Sequence, residues 1–287
     1  MQLYATLAHN SQIEGARTAE FIPTLKTNVI HSESSETDSK LWDSPESVAA
    51  YSGEPHLVRS ERAAFDSCFS RGLEGRRVLD LGCGGGRTTH FLHEMGADVV
   101  GVDISQNLIR AAKQRAPQID FRLGEAESLE FDDESFDLVV FSFNGLDYLH
   151  PKSKRCKAIR EMWRVLCPNG RLIFSHHNLA AFFFGWYKFM RPWKLRFRAK
   201  HILNGNALKN ECYIRELPAS GPGALIAYHA WPTQVIADLR SLGFELESIH
   251  SNSLLLAFLQ RALRITVLTK LADPWPYYTF VKRNSPR

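Results

Sequence analysis

The spacing of apolar and polar residues changes period along the chain, and each change marks an element. From Leu57 to Phe69 the apolar residues Leu57, Ala64, Phe65, Cys68 and Phe69 suit one face of a helix. Short, nearly unbroken apolar runs then alternate with helical stretches. RVLDLG (77–82) predicts a buried strand ended by glycine, RTTHFLHEMG (87–96) a helix stopped by Gly96, and DVVGVDI (98–104) a second strand. SQNLIRAAKQRA (105–116) predicts a helix with Ser105 as N-cap and Pro117 just past its end. IDFRLGE (119–125) and SFDLVVFSFN (135–144) predict the third and fourth strands. SKRCKAIREMWRVLCPNG (153–170) predicts a helix with Ile159, Trp163 and Leu166 on one face, ended by Pro168 and Gly170, and RLIFSHHN (171–178) a fifth strand.

Strands alternating with helices imply βαβ units and a parallel, doubly wound α/β sheet. The strands carry apolar residues at nearly every position, as they must when helices cover both faces of the sheet. Ligands of such sheets bind beyond the carboxyl ends of the strands, so candidate chemistry is sought there. After Asn178 the alternation stops. Residues 179–230 are rich in aromatics, basic residues, Gly and Pro, and are expected to form a substrate-side insertion or lid with structure of its own. The pattern returns in PTQVIADLRSLGFELESIHS (232–251) as a helix, a stop at Gly243 and a strand; 254–271 predicts a further helix and WPYYTFVKR (275–283) a last strand. Residues 1–50, which include the polar run HSESSETDSK, are expected to be a mobile arm or a lid. The expected organisation is thus an arm (1–50), a core (51–178), an insertion (179–230) and the C-terminal part of the core sheet (231–287).

Composition narrows the class. With 287 residues, 44% hydrophobic and 23% charged, the chain suits one large domain or one domain plus a lid. Its five cysteines are scattered and form no Cys-x-x-Cys pair, which argues against a disulfide framework and a zinc site; no metal is expected. Neither LAAFFFGWY (179–187) nor the charge-interrupted LLLAFLQRALRITVLTKL (254–271) supplies the ~20 apolar residues of a spanning helix. The N-terminus lacks the pattern of a secretory leader, and the expected location is the cytoplasm. A net charge of +4 permits an acidic partner without by itself arguing for nucleic acid.

The chemistry centres on VLDLGCGGG (78–86), a strand that breaks into glycines and feeds a helix. A phosphate loop for ATP or GTP needs Lys-Ser or Lys-Thr after its glycines, and none follows. The dinucleotide fingerprint needs a third glycine where Arg87 stands, although Asp103 ends the second strand as a ribose-binding acid should. Asp80-x-Gly82-x-Gly84-x-Gly86, followed by VVGVDIS, FRLGEAESLEF, DDESFDLVVFSF and REMWRVLCPNGRLIFS, resembles the class I S-adenosylmethionine-dependent methyltransferases over about residues 50–178. The resemblance implies a Rossmann-like, doubly wound, seven-stranded sheet whose last strand is antiparallel, with an insertion or lid after strand 5. It implies S-adenosyl-L-methionine as cofactor and S-adenosyl-L-homocysteine as product. It places Gly82, Cys83, Gly84 and Gly86 along the methionine end with Asp80 at the base of the loop, and Asp103 and Ile104 at the ribose. Glu125 and Ala126 fall beside the adenine, and Phe143 and Asn144 where cofactor and substrate meet.

Methyl transfer needs alignment of acceptor, methyl and sulfur, and a base where the acceptor must lose a proton. The candidates lie beyond strands 4 and 5: Asp147, Tyr148 and His150 in NGLDYLH, His176 and His177 in SHHN, and Tyr228 and His229 in the insertion. His177 is the preferred base, with Asp147 able to orient a substrate amine. NGLD (144–147) lacks the prolines of the Asn/Asp-Pro-Pro-Tyr/Phe tetrad of base-modifying amino-methyltransferases, which counts against a DNA adenine-type enzyme. The expected function is methyl transfer to an oxygen or nitrogen of a small molecule. The alternatives are an RNA methyltransferase using the basic, aromatic stretch 182–201, and a non-catalytic scaffold. Composition and motifs leave the oligomeric state open.

Overall fold

The computed structural model describes residues 40–53, 57–69, 72–181, 211–216, 225–251 and 273–283. Its main sheet has seven strands: β1 (Arg77–Leu81), β2 (Asp98–Asp103), β3 (Asp120–Leu123), β4 (Phe136–Phe141), β5 (Leu166–Ser175), β9 (Phe244–His250) and β10 (Tyr277–Lys282). Their order is β3-β2-β1-β4-β5-β10-β9. Neighbours from β3 through β5 are parallel, and β10 runs antiparallel to both β5 and β9. The Rossmann-like sheet with an antiparallel last strand therefore forms as expected. Chain order reverses between β1 and β4, so the crevice beyond these two strands is the switch point where such sheets bind ligands.

Residues alternate between two cores along each strand. Leu79 and Leu81 of β1 and Val139 and Phe141 of β4 face one core, with Ile159, Met162 and Val165 of one helix and Ile236 and Leu239 of another. Val78, Leu138 and Val140 face the other, with Phe65, Leu92, Ile109 and Ala112. Both faces are dry, which is why the strands read as unbroken apolar runs. The helices are α1 (Pro45–Tyr51), α2 (Arg59–Cys68), α3 (Arg87–Glu94), α4 (Gln106–Arg115), α5 (Lys152–Val165) and α6 (Pro232–Ser241). Ser105 caps α4 as its sequence predicts, its hydroxyl accepting from the Leu108 N–H at 3.1 Å.

Two boundaries differ from the sequence reading. The helix expected over 153–170 ends at Val165, and β5 starts at Leu166, which pairs with Phe136 before the register shifts. Pro168 confines Cys167 to extended backbone, and the Leu166 carbonyl accepts from Lys282 Nζ at 2.7 Å. The strand expected over 171–178 is two strands: β5 ends at Ser175, and β6 (His177–Asn178) leaves the main sheet. It does so because Asp147 takes the His177 N–H at 2.6 Å. β6 pairs in parallel with β8 (Leu225–Ala230), which pairs antiparallel with β7 (Glu211–Glu216), giving a second, three-stranded sheet. The insertion thus has structure of its own where it is described, and Arg155 of α5 stacks on its Tyr228 at 3.3 Å from the ring centroid. The expected helix at 254–271, the stretch 182–201 and residues 1–39 of the arm lie outside the described residues. Among the described residues no helix is long and apolar enough to cross a membrane.

Candidate active site

A cleft of ≈ 1000 Å³, open mouth included, lies beyond the carboxyl ends of β1, β2 and β4. Gly82, Gly84, Asp103, Ile104, Glu125, Ala126, Phe143 and Tyr148 line it. Asp103 is buried at the tip of β2, where one carboxylate oxygen takes the Gly84 N–H and the other the Ser105 N–H, both at 2.8 Å. Burial pushes its carboxyl up, and these N–H donors pull it back. Each oxygen keeps a lone-pair position, so the group can still accept two hydroxyls.

The rest of the glycine loop supports the cleft from behind. Asp80 is buried in β1 and accepts from the Thr89 hydroxyl at 2.6 Å. Burial pushes its carboxyl up to about 7, with Thr89 and Arg87 opposing. Cys83 is buried, its N–H bonded to the Val102 carbonyl at 3.1 Å. Gly86 begins α3 at φ +83°, where a Cβ would lie 2.9 Å from the Phe121 ring; this glycine serves packing. Neither Cys83 nor Gly86 lines the cleft, and Asp80 stands one shell behind it.

Helix α1 and the residues before it form a strap across the mouth. Trp42 and Tyr51 line the cleft. Asp43 accepts from Ser105 Oγ at 2.6 Å and from the Asn107 N–H at 3.0 Å, pinning one end to the start of α4. The Gly85 N–H donates to the Tyr51 carbonyl at 3.2 Å at the other end. A Cβ on Gly85 would lie 2.7 Å from that oxygen, so only glycine admits the strap so close. Trp42 meets Tyr148 edge-on at 5.5 Å, and Tyr148 meets His177 at 5.8 Å.

The turn after β4 brings the candidate catalytic residues together. Phe143 and Asn144 are both left-handed, at φ +52° and +59°. Such backbone costs about 1–2 kcal/mol per non-glycine residue, and an aromatic there is rarer than an asparagine. The turn leads into a 3-10 helix, Gly145–Tyr148, which buries Asp147. Asp147 Oδ2 lies 2.9 Å from His177 Nδ1, and Oδ1 lies 3.8 Å from His176 Nδ1, an ionic distance rather than a hydrogen bond. Burial alone would raise the Asp147 carboxyl; the two histidines overcome it and hold the group well below the usual carboxylate range. Asp147 can only accept and Asn144 Nδ2, 3.3 Å from His177 Nε2, can only donate, so the neutral tautomer that satisfies both contacts has its proton on Nδ1. The His229 ring packs on His177 at 4.7 Å, placed there by the β6–β8 register.

The fold therefore brings His177, Asp147 and Tyr148 together; Tyr148 lines the cleft, as does Asp103, whereas Asp147 and His177 are buried behind its wall. Glu125 is exposed, whereas Glu127, two residues on, is buried, lines the cleft and pairs with Lys154 at 3.6 Å. Trp42, Tyr51, Ser142, Glu127 and Lys154 are among the lining residues that sequence reasoning missed. Ser44-Pro45, an N-cap followed by proline at the first helical position, was the available signal for α1 and its strap. The cradle suits S-adenosylmethionine: a glycine loop, an acid able to take two hydroxyls, aromatic walls, and a buried Asn144 Oδ1 with no hydrogen-bond partner among the described residues.

Comparison with known proteins agrees with this geometry. Residues 78–170 match the family model described as a methyltransferase domain. A methyltransferase from Methanosarcina mazei, described as S-adenosylmethionine-dependent, shares the fold at a TM-score of 0.52 and 23% identity, over 74% of this chain and 94% of that one. One from Mesorhizobium loti does so at a TM-score of 0.51 and 17% identity, over 77% and 97%. The chain thus contains a methyltransferase domain over residues 78–170, set in the fold that these S-adenosylmethionine-dependent methyltransferases share. It is 40% identical over 113 residues to the demethylmenaquinone methyltransferase of Renibacterium salmoninarum, covering 38% of this chain and 46% of that protein. It is 37% identical over 117 residues to the ubiquinone biosynthesis O-methyltransferase of Azorhizobium caulinodans, covering 39% and 45%. The chain thus spans less than half the length of these curated relatives.

Proposed function

We propose that this protein transfers a methyl group from S-adenosylmethionine to a hydroxyl oxygen of a small molecule. The carrying observation is the buried Asp147–His177 pair, whose second ring nitrogen faces Asn144 beside the cleft. A carboxylate held below its usual range favours the imidazole tautomer whose Nε2 is free of a proton, the arrangement suited to an acceptor that must shed one. The name of the Azorhizobium relative, an O-methyltransferase, supports an oxygen acceptor.

The bound cofactor supplies a methyl carbon activated by positive sulfur. Asp103 would hold the ribose hydroxyls, and Gly82 and Gly84 would let the loop backbone lie against the amino acid end. Trp42 and Tyr51, at the mouth, would shield the bound group from water, and Phe143 would wall the reacting end. His177 Nε2 receives the acceptor proton, and Asp147 stabilises the imidazolium that results. The small aromatic and quinol-type hydroxyl compounds are the acceptors to assay first. Incubation of the full chain with labelled cofactor and a panel of phenols should yield O-methylated product. Product from amines alone would overturn the oxygen assignment, and cofactor turnover absent across hydroxyl and amine panels alike would overturn the small-molecule reading.

A further inference from the structure

Arg87, which breaks the dinucleotide fingerprint, belongs to a buried hub. Glu61 of α2 is fully buried and binds Arg87 through both oxygens, at 2.8 and 2.9 Å. The same carboxylate accepts from the Thr88 hydroxyl at 3.1 Å and from the Ser142 hydroxyl at 2.6 Å. The Arg87 guanidinium lies over the Phe143 ring, 4.2 Å from its centroid. Ser142 and Phe143 line the cleft. The hub thus grips two successive residues of the strained turn at the end of β4. The third, Asn144, gives its N–H to Ser175 Oγ at 2.9 Å and reaches His177.

A buried ion pair costs desolvation that its attraction only partly offsets, so stability alone explains it poorly. Its geometry explains it better. Glu61 neutralises a cation that would otherwise disfavour a positively charged ligand in the nearby cleft, and Arg87 packs on the ring of Phe143, which lines that cleft. We propose that Glu61 and Arg87 are positioning residues that hold the Ser142–Phe143–Asn144 turn in its ligand-binding form, acting on the cofactor through Phe143. This rests on the cofactor reading above.

The test is calorimetric titration of S-adenosylhomocysteine into the full chain, with thermal melting to report folding. Arg87→Met and Phe143→Leu should each weaken binding about fivefold to tenfold, the range a desolvated cation–aromatic contact supplies. Phe143→Tyr, which keeps the ring at a position 39% exposed, should bind within about twofold of wild type. Because Arg87 acts through the ring, the double variant should lose about as much as one single variant, not the product. Independent losses that multiply would overturn the proposal, as would equal affinities for Phe143→Leu and Phe143→Tyr. That second comparison stands alone if Arg87→Met does not fold. Wild-type protein that binds no S-adenosylhomocysteine would instead overturn the cofactor reading.

Discussion

The proposed role of His177 depends on Asp147, whose buried carboxyl the two neighbouring histidines hold below the usual carboxylate range. Asp147→Asn lets the partner donate as well as accept and releases the tautomer. Turnover should fall about 10²-fold or more, the range lost with a general base, while cofactor affinity changes little. His177→Ala should behave alike; full turnover in either variant would place the base elsewhere. Asp80 has the opposite electrostatics. Its folded carboxyl titrates near 7, above its ordinary value of 3.8, so the folded state keeps a proton that the unfolded chain releases. Stability should therefore fall as pH rises from about 4 to 7, by roughly 4 kcal/mol at most. Asp80→Asn should flatten that slope, and chemical denaturation of both proteins at pH 5 and 8 measures it. Asp103 and His177 were legible in the sequence because each ends or just follows a strand of recognisable pattern. Glu61 was not, since its partners stand 26 and 81 residues away and nothing local marks it.

Among the elements, the strap shows what a weak pattern can hide. Its residues mix polar and apolar types without a clear period, and its hold on the cleft comes from contacts to elements distant in sequence. Asp43 ties it to the start of α4, beside the acid that ends β2. Asp43→Ala should raise the cofactor dissociation rate about tenfold, since the anchor is a charge-assisted pair of hydrogen bonds. Stopped-flow displacement of S-adenosylhomocysteine, followed by Trp42 fluorescence, reads this, and an unchanged rate would mean that the strap does not gate the site. Apart from β5, which starts five residues earlier than expected, the strands of the main sheet lie within about three residues of their expected bounds because periodicity follows burial. The split of strand 5 at His176 was not, because it depends on Asp147 capturing a backbone N–H thirty residues distant in sequence.

For the whole molecule, the alternation of elements foretold the parallel sheet, and the family resemblance supplied the number of strands and the antiparallel last one. The small second sheet was foreseen only as structure of some kind, because its pairing is set by contacts across the insertion. An RNA acceptor and a small acceptor differ at this scale through charge. Neutralising six to ten phosphates would cost about 10³–10⁵ in affinity between 50 and 200 mM salt. The acceptor KM of this protein should change less than about twofold over that range, and a steep rise would favour RNA.

Most directly, the account depends on the cleft binding its cofactor through Asp103. Titration of S-adenosylhomocysteine into the wild-type chain should give saturable binding at one site. Asp103→Ala, folded by circular dichroism, should weaken it at least about tenfold, the loss expected when a carboxylate's hydrogen bonds to ligand are removed. No binding to wild type, or equal binding to the variant, would contradict it.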